Sequence, residues 1–140
     1  MELDAALTFA RQHHNGVLTT IKRDGRPQLS NITYRVTEEG LVEISITADR
    51  AKYPNLSRDP RASVHVTRED FYAYAVIEGD AELLPVAAAP GDATVEALVD
   101  LYRAVLGEHD DWDDYRAAMV RDRRTVVRIR PTHVYGMLPS

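Results

Sequence analysis

The chain has 140 residues, of which 44% are hydrophobic and 28% are charged, and its formal net charge is −5. This is the size and composition of a single soluble globular domain spanning 1–140, and it argues against intrinsic disorder and against an extended nucleic-acid surface. The absence of cysteine excludes disulfides, thiolate metal ligands and cysteine nucleophiles. No apolar run approaches the roughly 18 residues of a membrane span, and the acidic start Met1–Asp4 is unlike a signal peptide, so we expect a cytoplasmic protein.

The first third of the chain predicts one helix and then three antiparallel strands. Apolar residues share one face of a helix over 3–14, and Asn15-Gly16 is predicted to end it with Gly16 in a left-handed cap. The apolar period then changes to two, and the turns Asp24-Gly25 and Glu39-Gly40 divide the segment. The predicted strands cover about 17–21, 28–36 and 42–47.

A polar segment over 48–61 interrupts the strands. Pro54 fits the first turn of a short helix over 55–58, which Asp59-Pro60 ends. Further strands are predicted over 62–67, 71–78 and, after a bulge at Gly79-Asp80, 81–86.

The last part predicts two helices and one strand. The helices cover about 95–106 and 110–122, and a strand over 125–138 follows, interrupted by Pro131. Because most strands are sequence neighbours joined by short turns, the expected architecture is a mainly β, α+β antiparallel barrel with helices packed outside.

One segment has the chemistry of a phosphate site. Arg50 and Lys52 lie two residues apart after a strand and beside the start of a short helix. Arginine can grip a phosphate with two donors, lysine adds a point charge, and helix N-terminal amides attract anions. The alternative is a solvated charged connector.

Polar strand residues offer a second kind of contact. Gln28, Ser30 and Asn31 could hydrogen-bond the edge of a planar ring, or could simply form a half-exposed polar face. The aromatic residues Phe71, Tyr72 and Tyr74 could line a pocket for a flat ligand, or could be core or sheet surface.

No motif predicts a metal site or a set of side chains that could catalyse a reaction without a cofactor. The five histidines lack metal-ligand spacing, and no P-loop, Rossmann or Gly-x-Ser-x-Gly pattern is present. No catalytic side chain is nominated. If the protein is an enzyme, a cofactor must supply the demanding chemistry.

The chain resembles the pyridoxamine 5'-phosphate oxidase-like split-barrel family, in particular its actinobacterial F420-dependent PPOX-class branch. The resemblance covers nearly the whole chain and includes the helix 94–106. Its blocks are GVLTTIKRDGRPQLSN at 16–31, RAKYPNLSRDPRAS at 50–63, GEHDDWDDYRAAM at 107–119 and HVYG at 133–136.

The resemblance implies a six-stranded antiparallel split barrel that forms a homodimer, with two cofactor sites at the subunit interface. By the same resemblance, Arg50 and Lys52 hold the cofactor phosphate and Asn55 starts the short helix beside it. The residues implied at the ring are Gln28, Ser30 and Asn31 along its edge and Ser45, Ile46 and Thr47 beneath it.

The implied function is hydride transfer between coenzyme F420 and a small unsaturated organic substrate, with no nucleic-acid or membrane partner. Arg26, Arg58 and Arg61 are candidates for the anionic F420 tail. The alternatives are an FMN-dependent oxidoreductase on the same fold and a cofactor carrier without turnover. A true pyridoxamine phosphate oxidase is disfavoured, because no second basic cluster is placed for a substrate phosphate.

Overall fold

The computed structural model describes residues 1–139, which form a closed six-stranded barrel with four helices. The strand order around the barrel is β1-β2-β3-β6-β5-β4, and every neighbouring pair is antiparallel. This confirms the expected mainly β barrel with external helices. The elements are α1 Leu3–Arg11, β1 Asn15–Ile21, β2 Pro27–Val36, β3 Val42–Thr47, α2 Lys52–Arg58, β4 Arg61–Thr67, β5 Tyr74–Leu83, α3 Ala93–Leu106, α4 Trp112–Arg121 and β6 Arg124–Met137.

The barrel interior is filled by one face of each strand. Alternation along a strand sends every second side chain inward, which places Leu18, Ile44 and Val64 in a single core cluster. Helix α1 adds its own apolar face to this cluster, and the Tyr34 hydroxyl donates a 2.7 Å hydrogen bond to the Ala10 carbonyl oxygen. Burial raises the pKa of the Tyr34 phenol, so this hydroxyl remains a donor that joins α1 to β2.

Strands β2 and β3 pair over only part of their lengths. Residues 34–36 of β2 pair with 42–44 of β3, whereas residues 27–33 pair with β1 alone and 45–47 with β6 alone. The two strands therefore diverge towards the α2 side of the barrel. We call this divergence, bordered by 27–33 and 45–47, the split.

Helices α3 and α4 form a second, external core. Val95, Leu98 and Met119 pack with Val126, which lies on the outer face of β6. The Asp92 side chain caps α3 by accepting from Val95 N at 2.8 Å, and the Asp111 side chain caps α4 by accepting from Asp114 N at 3.1 Å. No helix in residues 1–139 combines the length and hydropathy needed to cross a membrane.

The predicted left-handed cap at Gly16 is wrong. Helix α1 ends at Arg11, and Gly16 is the second residue of β1 without a left-handed backbone. A Cβ at Gly16 would lie 2.9 Å from the His65 carbonyl oxygen on the facing strand β4. The glycine is needed for close approach of two strands and not for a turn.

The strands predicted over 71–78 and 81–86 are one strand, β5, and Phe71 lies before it in a turn with a φ of 69°. A register shift does occur next to Gly79, but the extra residue is on β6: Glu78 pairs with His133 and Gly79 with Pro131, which leaves Thr132 unpaired. Pro131 therefore does not interrupt β6. The short helix α2 begins at Lys52, three residues before its predicted start at Asn55.

Candidate functional site

The residues singled out from the sequence border the split. Gln28, Ser30 and Asn31 lie on the β2 stretch that pairs only with β1, and Ser45, Ile46 and Thr47 lie on the β3 stretch that pairs only with β6. Arg50, Lys52 and Asn55 follow in the connector from β3 and in α2. Segments far apart in the sequence thus meet at one feature of the barrel.

Strand alternation divides these candidates between two faces. Gln28 and Ser30 share the face of β2 that carries the buried Tyr34, whereas Asn31 lies on the opposite, outer face. On β3, Ile46 is 1% exposed and belongs to the barrel core, so only its backbone is available to a ligand. Ser45 and Thr47 lie on the outer face of that strand.

Three basic side chains gather at the end of β3. Lys52 has a lowered pKa, first because it is partly buried and then because the charges of Arg50 and Arg124 act on it. Arg124 is opposite Thr47 in the β3–β6 register, and its Nη1 donates to Ser45 Oγ at 3.3 Å. Arg50, Lys52 and Arg124, hereafter the basic cluster, form no ion pair within the described part of the chain.

Buried polar atoms without a hydrogen-bond partner lie on the same segments. They are Ser30 Oγ, Thr47 Oγ1 and Arg124 Nε. The Thr47 hydroxyl does lie close to the Asp49 carboxyl and is the main cause that lowers the pKa of that group, although the contact lacks the geometry of a formed hydrogen bond. Leaving a buried donor or acceptor unsatisfied costs about 1–3 kcal/mol, so these atoms favour a polar ligand at the split.

The side chain of Asn55 is already committed within the chain. Its Nδ2 donates to Thr20 Oγ1 at 3.1 Å, and its Oδ1 accepts from Arg58 Nη2 at 3.1 Å. Asn55 therefore anchors α2 to β1 and positions the connector that carries Arg50 and Lys52. A direct contact with a cofactor would have to displace one of these bonds.

The three arginines predicted to contact the anionic F420 tail differ in how far their side chains are already bonded within the chain. Arg58 also donates to the Ile21 carbonyl oxygen at 2.9 Å, and Arg61 pairs through two nitrogens with the Asp59 carboxylate. That pairing lowers the pKa of Asp59 to about 2. Arg26 lies exposed in the turn of the β1–β2 hairpin.

Arg124 is the residue that sequence reasoning missed. In the sequence it reads only as one of several arginines after α4. Its place beside Ser45 and Thr47 follows from the pairing of β3 with β6, which are distant in the chain. No local pattern signals that pairing.

A second concavity, the outer groove, lies on the outside of β1, β2 and β4 and has a volume of about 560 Å³. One edge of the groove is formed by Thr67 at the end of β4 and Glu69 in the β4–β5 turn, where Phe71 and Tyr72 are each 78% exposed. The groove is lined by Asn15, Gly16, Val17, Asn31, Ile32, Thr33, His65, Thr67 and Glu69. Within residues 1–139, no group of His, Asp and Glu side chains is arranged to hold a metal ion.

Comparison with solved structures shows the same fold in several proteins. A conserved hypothetical protein from Mycobacterium tuberculosis is 25% identical, with a TM-score of 0.75 over 100% of this chain and 90% of that one. A protein named F420 reductase is 22% identical, with a TM-score of 0.70 over 94% of each chain. A heme binding protein from Mycobacterium smegmatis is 23% identical, with a TM-score of 0.71 over 96% of this chain and 53% of that one.

The family comparison covers almost the whole chain. Residues 3–138 match the family described as pyridoxamine 5'-phosphate oxidase. The closed six-stranded antiparallel barrel and the shared fold of the solved structures agree with this match. The chain belongs to the pyridoxamine 5'-phosphate oxidase family.

Proposed function

We propose that this protein is an oxidoreductase that binds coenzyme F420 and uses it to reduce a small unsaturated organic substrate. The observation that carries the proposal is the basic cluster, whose three cations form no ion pair within residues 1–139, although the charge of Arg50 helps to lower the pKa of Asp49. Buried polar atoms without hydrogen-bond partners lie on the same segments. Membership of the family supports a flavin-type cofactor, and the similarity to a protein named F420 reductase supports the deazaflavin within that type.

The residues at the split fit a phosphate-bearing planar cofactor. Arg50, Lys52 and Arg124 would hold the phosphate, because guanidinium and ammonium groups form charge-assisted hydrogen bonds with its oxygens. The polar groups nearest the ring would be Gln28 and Ser30 on the β2 side and Ser45 and Thr47 on the β3 side.

When bound, the deazaflavin would supply a hydride to an electron-poor carbon of the substrate. The chain's own contribution is to bind and orient. The basic cluster would anchor one end of the cofactor, Asn55 holds the connector in place, and the diverging strands would border the ring.

FMN is the second candidate, because it carries the same phosphate and a ring of similar shape. The expected difference in affinity between F420 and FMN is small, because Arg58 and Arg61 already form hydrogen bonds within the chain. Arg26 is therefore the freer contact for the F420 tail. An exposed charge pair contributes only about 0–1 kcal/mol, so the tail should add a modest, salt-sensitive increment.

The deciding experiment is a fluorescence titration of the purified protein with F420 and with FMN at low and high salt. We expect F420 to bind more tightly, with the difference shrinking as salt rises. Tighter binding of FMN under both conditions would replace the F420 assignment with the FMN one. Tight F420 binding without turnover across a panel of unsaturated substrates would identify a carrier.

A further inference from the structure

We propose that the side-chain amine of Lys52 forms a reversible imine with small aldehydes that carry a phosphate, while Arg50 and Arg124 hold that phosphate. This is a site of covalent modification, and it goes beyond the proposed redox function, with which it shares only the phosphate contacts. The observation behind it is an amine that lies beside two guanidinium groups, none of the three forming an ion pair within residues 1–139.

The surroundings of Lys52 favour an amine that reacts as a nucleophile. Lys52 begins α2 and is half-exposed, so its side chain meets the solvent without being fully hydrated. Burial, and then the charges of Arg50 and Arg124, lower the pKa of Lys52, so its neutral fraction at neutral pH exceeds that of an ordinary lysine. Desolvation and a neighbouring cation are the usual means by which proteins activate a lysine towards carbonyl compounds.

The acid that is closest to Lys52 along the chain does not oppose this effect. Asp49 lies on the same connector, and its pKa is lowered first by the Thr47 hydroxyl and then, among side-chain charges, by Arg50 and Arg123. Lys52 is not among the causes that lower it, and Asp49 is not among the groups that act on Lys52. The charges that act on the amine are therefore all positive.

The two guanidinium groups keep donors available for an anion. Arg50 is exposed, and Arg124 donates from Nη1 to Ser45 Oγ at 3.3 Å while its buried Nε has no partner among the described residues. Guanidinium groups form charge-assisted hydrogen bonds with phosphate oxygens, so an aldehyde with a phosphate a few bonds away would be held near the amine.

The chemical step requires no oxidant or reductant. The ammonium group of Lys52 first gives its proton to water, and the nitrogen lone pair then forms a bond to the carbonyl carbon. The carbonyl oxygen leaves as water, and the imine nitrogen takes up one proton, so charge and atoms balance. The aldehyde would occupy the contacts proposed for the cofactor phosphate, and the two ligands would therefore exclude each other.

A matched pair of aldehydes, glyceraldehyde 3-phosphate and glyceraldehyde, tests the proposal. Each is incubated with the full chain at neutral pH, the imine is reduced with cyanoborohydride, and labelled lysines are identified by peptide mass spectrometry. At Lys52 we expect about 10- to 100-fold more label from the phosphorylated aldehyde, the gain that a charge-assisted hydrogen bond provides. Inorganic phosphate should reduce that label. Lys22, also half-exposed, is the internal control and should show no comparable preference.

Two arginine variants separate the role of the cluster from general reactivity. Arg50→Ala should reduce the preference for the phosphorylated aldehyde at Lys52. It should also move the labelling of Lys52 by glyceraldehyde to higher pH, because loss of a neighbouring cation raises the pKa of the amine. Arg23→Ala removes an exposed arginine of the β1–β2 turn and should leave both measurements unchanged.

Equal labelling of Lys52 by the two aldehydes, or the same preference at Lys22 as at Lys52, would overturn the proposal. So would an Arg50→Ala variant with an unaltered preference and pH profile. None of these measurements involves electron transfer or a bound cofactor. Failure of the proposed function would appear instead as absent F420 and FMN binding in the fluorescence titration, so the two failures are distinguishable.

Discussion

At the scale of single residues, Lys52 lies in surroundings that disfavour its own charge. Partial burial and the nearby Arg50 and Arg124 all lower its pKa, and no acidic group in the described residues pairs with it. A bound anion would offset both causes. The three cations of the basic cluster repel one another in the free protein, and a bound anion would reduce that repulsion, as expected for a binding site.

Replacing Lys52 tests this directly. A hydrogen bond to a charged group contributes about 1.5–3 kcal/mol, so Lys52→Ala should weaken F420 or FMN binding by roughly 10- to 100-fold, and Arg50→Ala should act in the same direction. Lys22→Ala, titrated with FMN, is the matched control, because Lys22 is the one other lysine and FMN lacks the tail for which the nearby Arg26 is a candidate contact. Unchanged affinity in Lys52→Ala and Arg50→Ala would remove the phosphate assignment.

At the scale of elements, strand periodicity explains what the sequence could and could not predict. The period-two pattern of 17–21 and 42–47 predicted β1 and β3 well, because alternation is a local property. The same alternation already implied that Ser30 and Asn31 point to opposite faces. The split and the position of Arg124 depend on which strands pair and in what register, and local patterns do not carry that information.

Two of the differences between the predicted and the observed elements involve glycines, Gly16 and Gly79. A glycine permits either a left-handed turn or the close approach of another backbone, and the sequence does not distinguish the two uses. Gly25 and Gly40 adopt left-handed conformations in predicted turns, whereas Gly16 and Gly79 serve close approach between strands.

Gly79 provides a test of that second use. A Cβ there would lie 2.1 Å from the Arg130 carbonyl oxygen, and because that atom is backbone it cannot rotate away. Gly79→Ala should therefore destabilise the protein by roughly 1–3 kcal/mol, as overpacking does. The measurement is the midpoint of urea denaturation.

Gly91→Ala serves as the matched control for Gly79→Ala. Nothing lies within 4 Å of its Cβ position and its backbone is not left-handed, so its stability should change by no more than about 0.5 kcal/mol. Equal midpoints for the two variants would show that β5 and β6 can separate at the bulge without cost.

At the scale of the whole molecule, the barrel exposes apolar side chains on one outer surface. Tyr135 and Met137 lie two residues apart on the outer face of β6 and are 45% and 63% exposed. Met137 pairs with the partly exposed Tyr74 of β5, whereas Val76, opposite Tyr135, is buried. We call Tyr74, Tyr135 and Met137 the outer apolar patch. A contiguous patch of this kind commonly marks a protein interface, and we propose that a second copy of the chain covers it.

Light scattering should therefore give twice the 15.7 kDa chain mass. Met137→Glu should shift the protein towards monomer, because it buries a charge at the proposed interface without a partner. Leu106→Glu is the control: Leu106 is equally apolar and 68% exposed, but it lies at the end of α3. If the unsubstituted protein has the mass of a single chain and still binds the cofactor with full affinity, the cofactor site is not shared between two subunits.

The position of β6 between β3 and β5 has a consequence for how the protein is made. Both neighbours precede β6 in the chain, so β3 and β5 each present an open edge until β6 arrives. Open strand edges can pair with strands of other molecules. In a chain that is still being synthesised, the edges of β3 and β5 stay unpaired until β6 has been made. Helices α3 and α4 extend that interval, because they lie between β5 and β6. We therefore expect aggregation of this protein during synthesis to depend on the delay before β6 is made, as well as on the stability of the finished barrel.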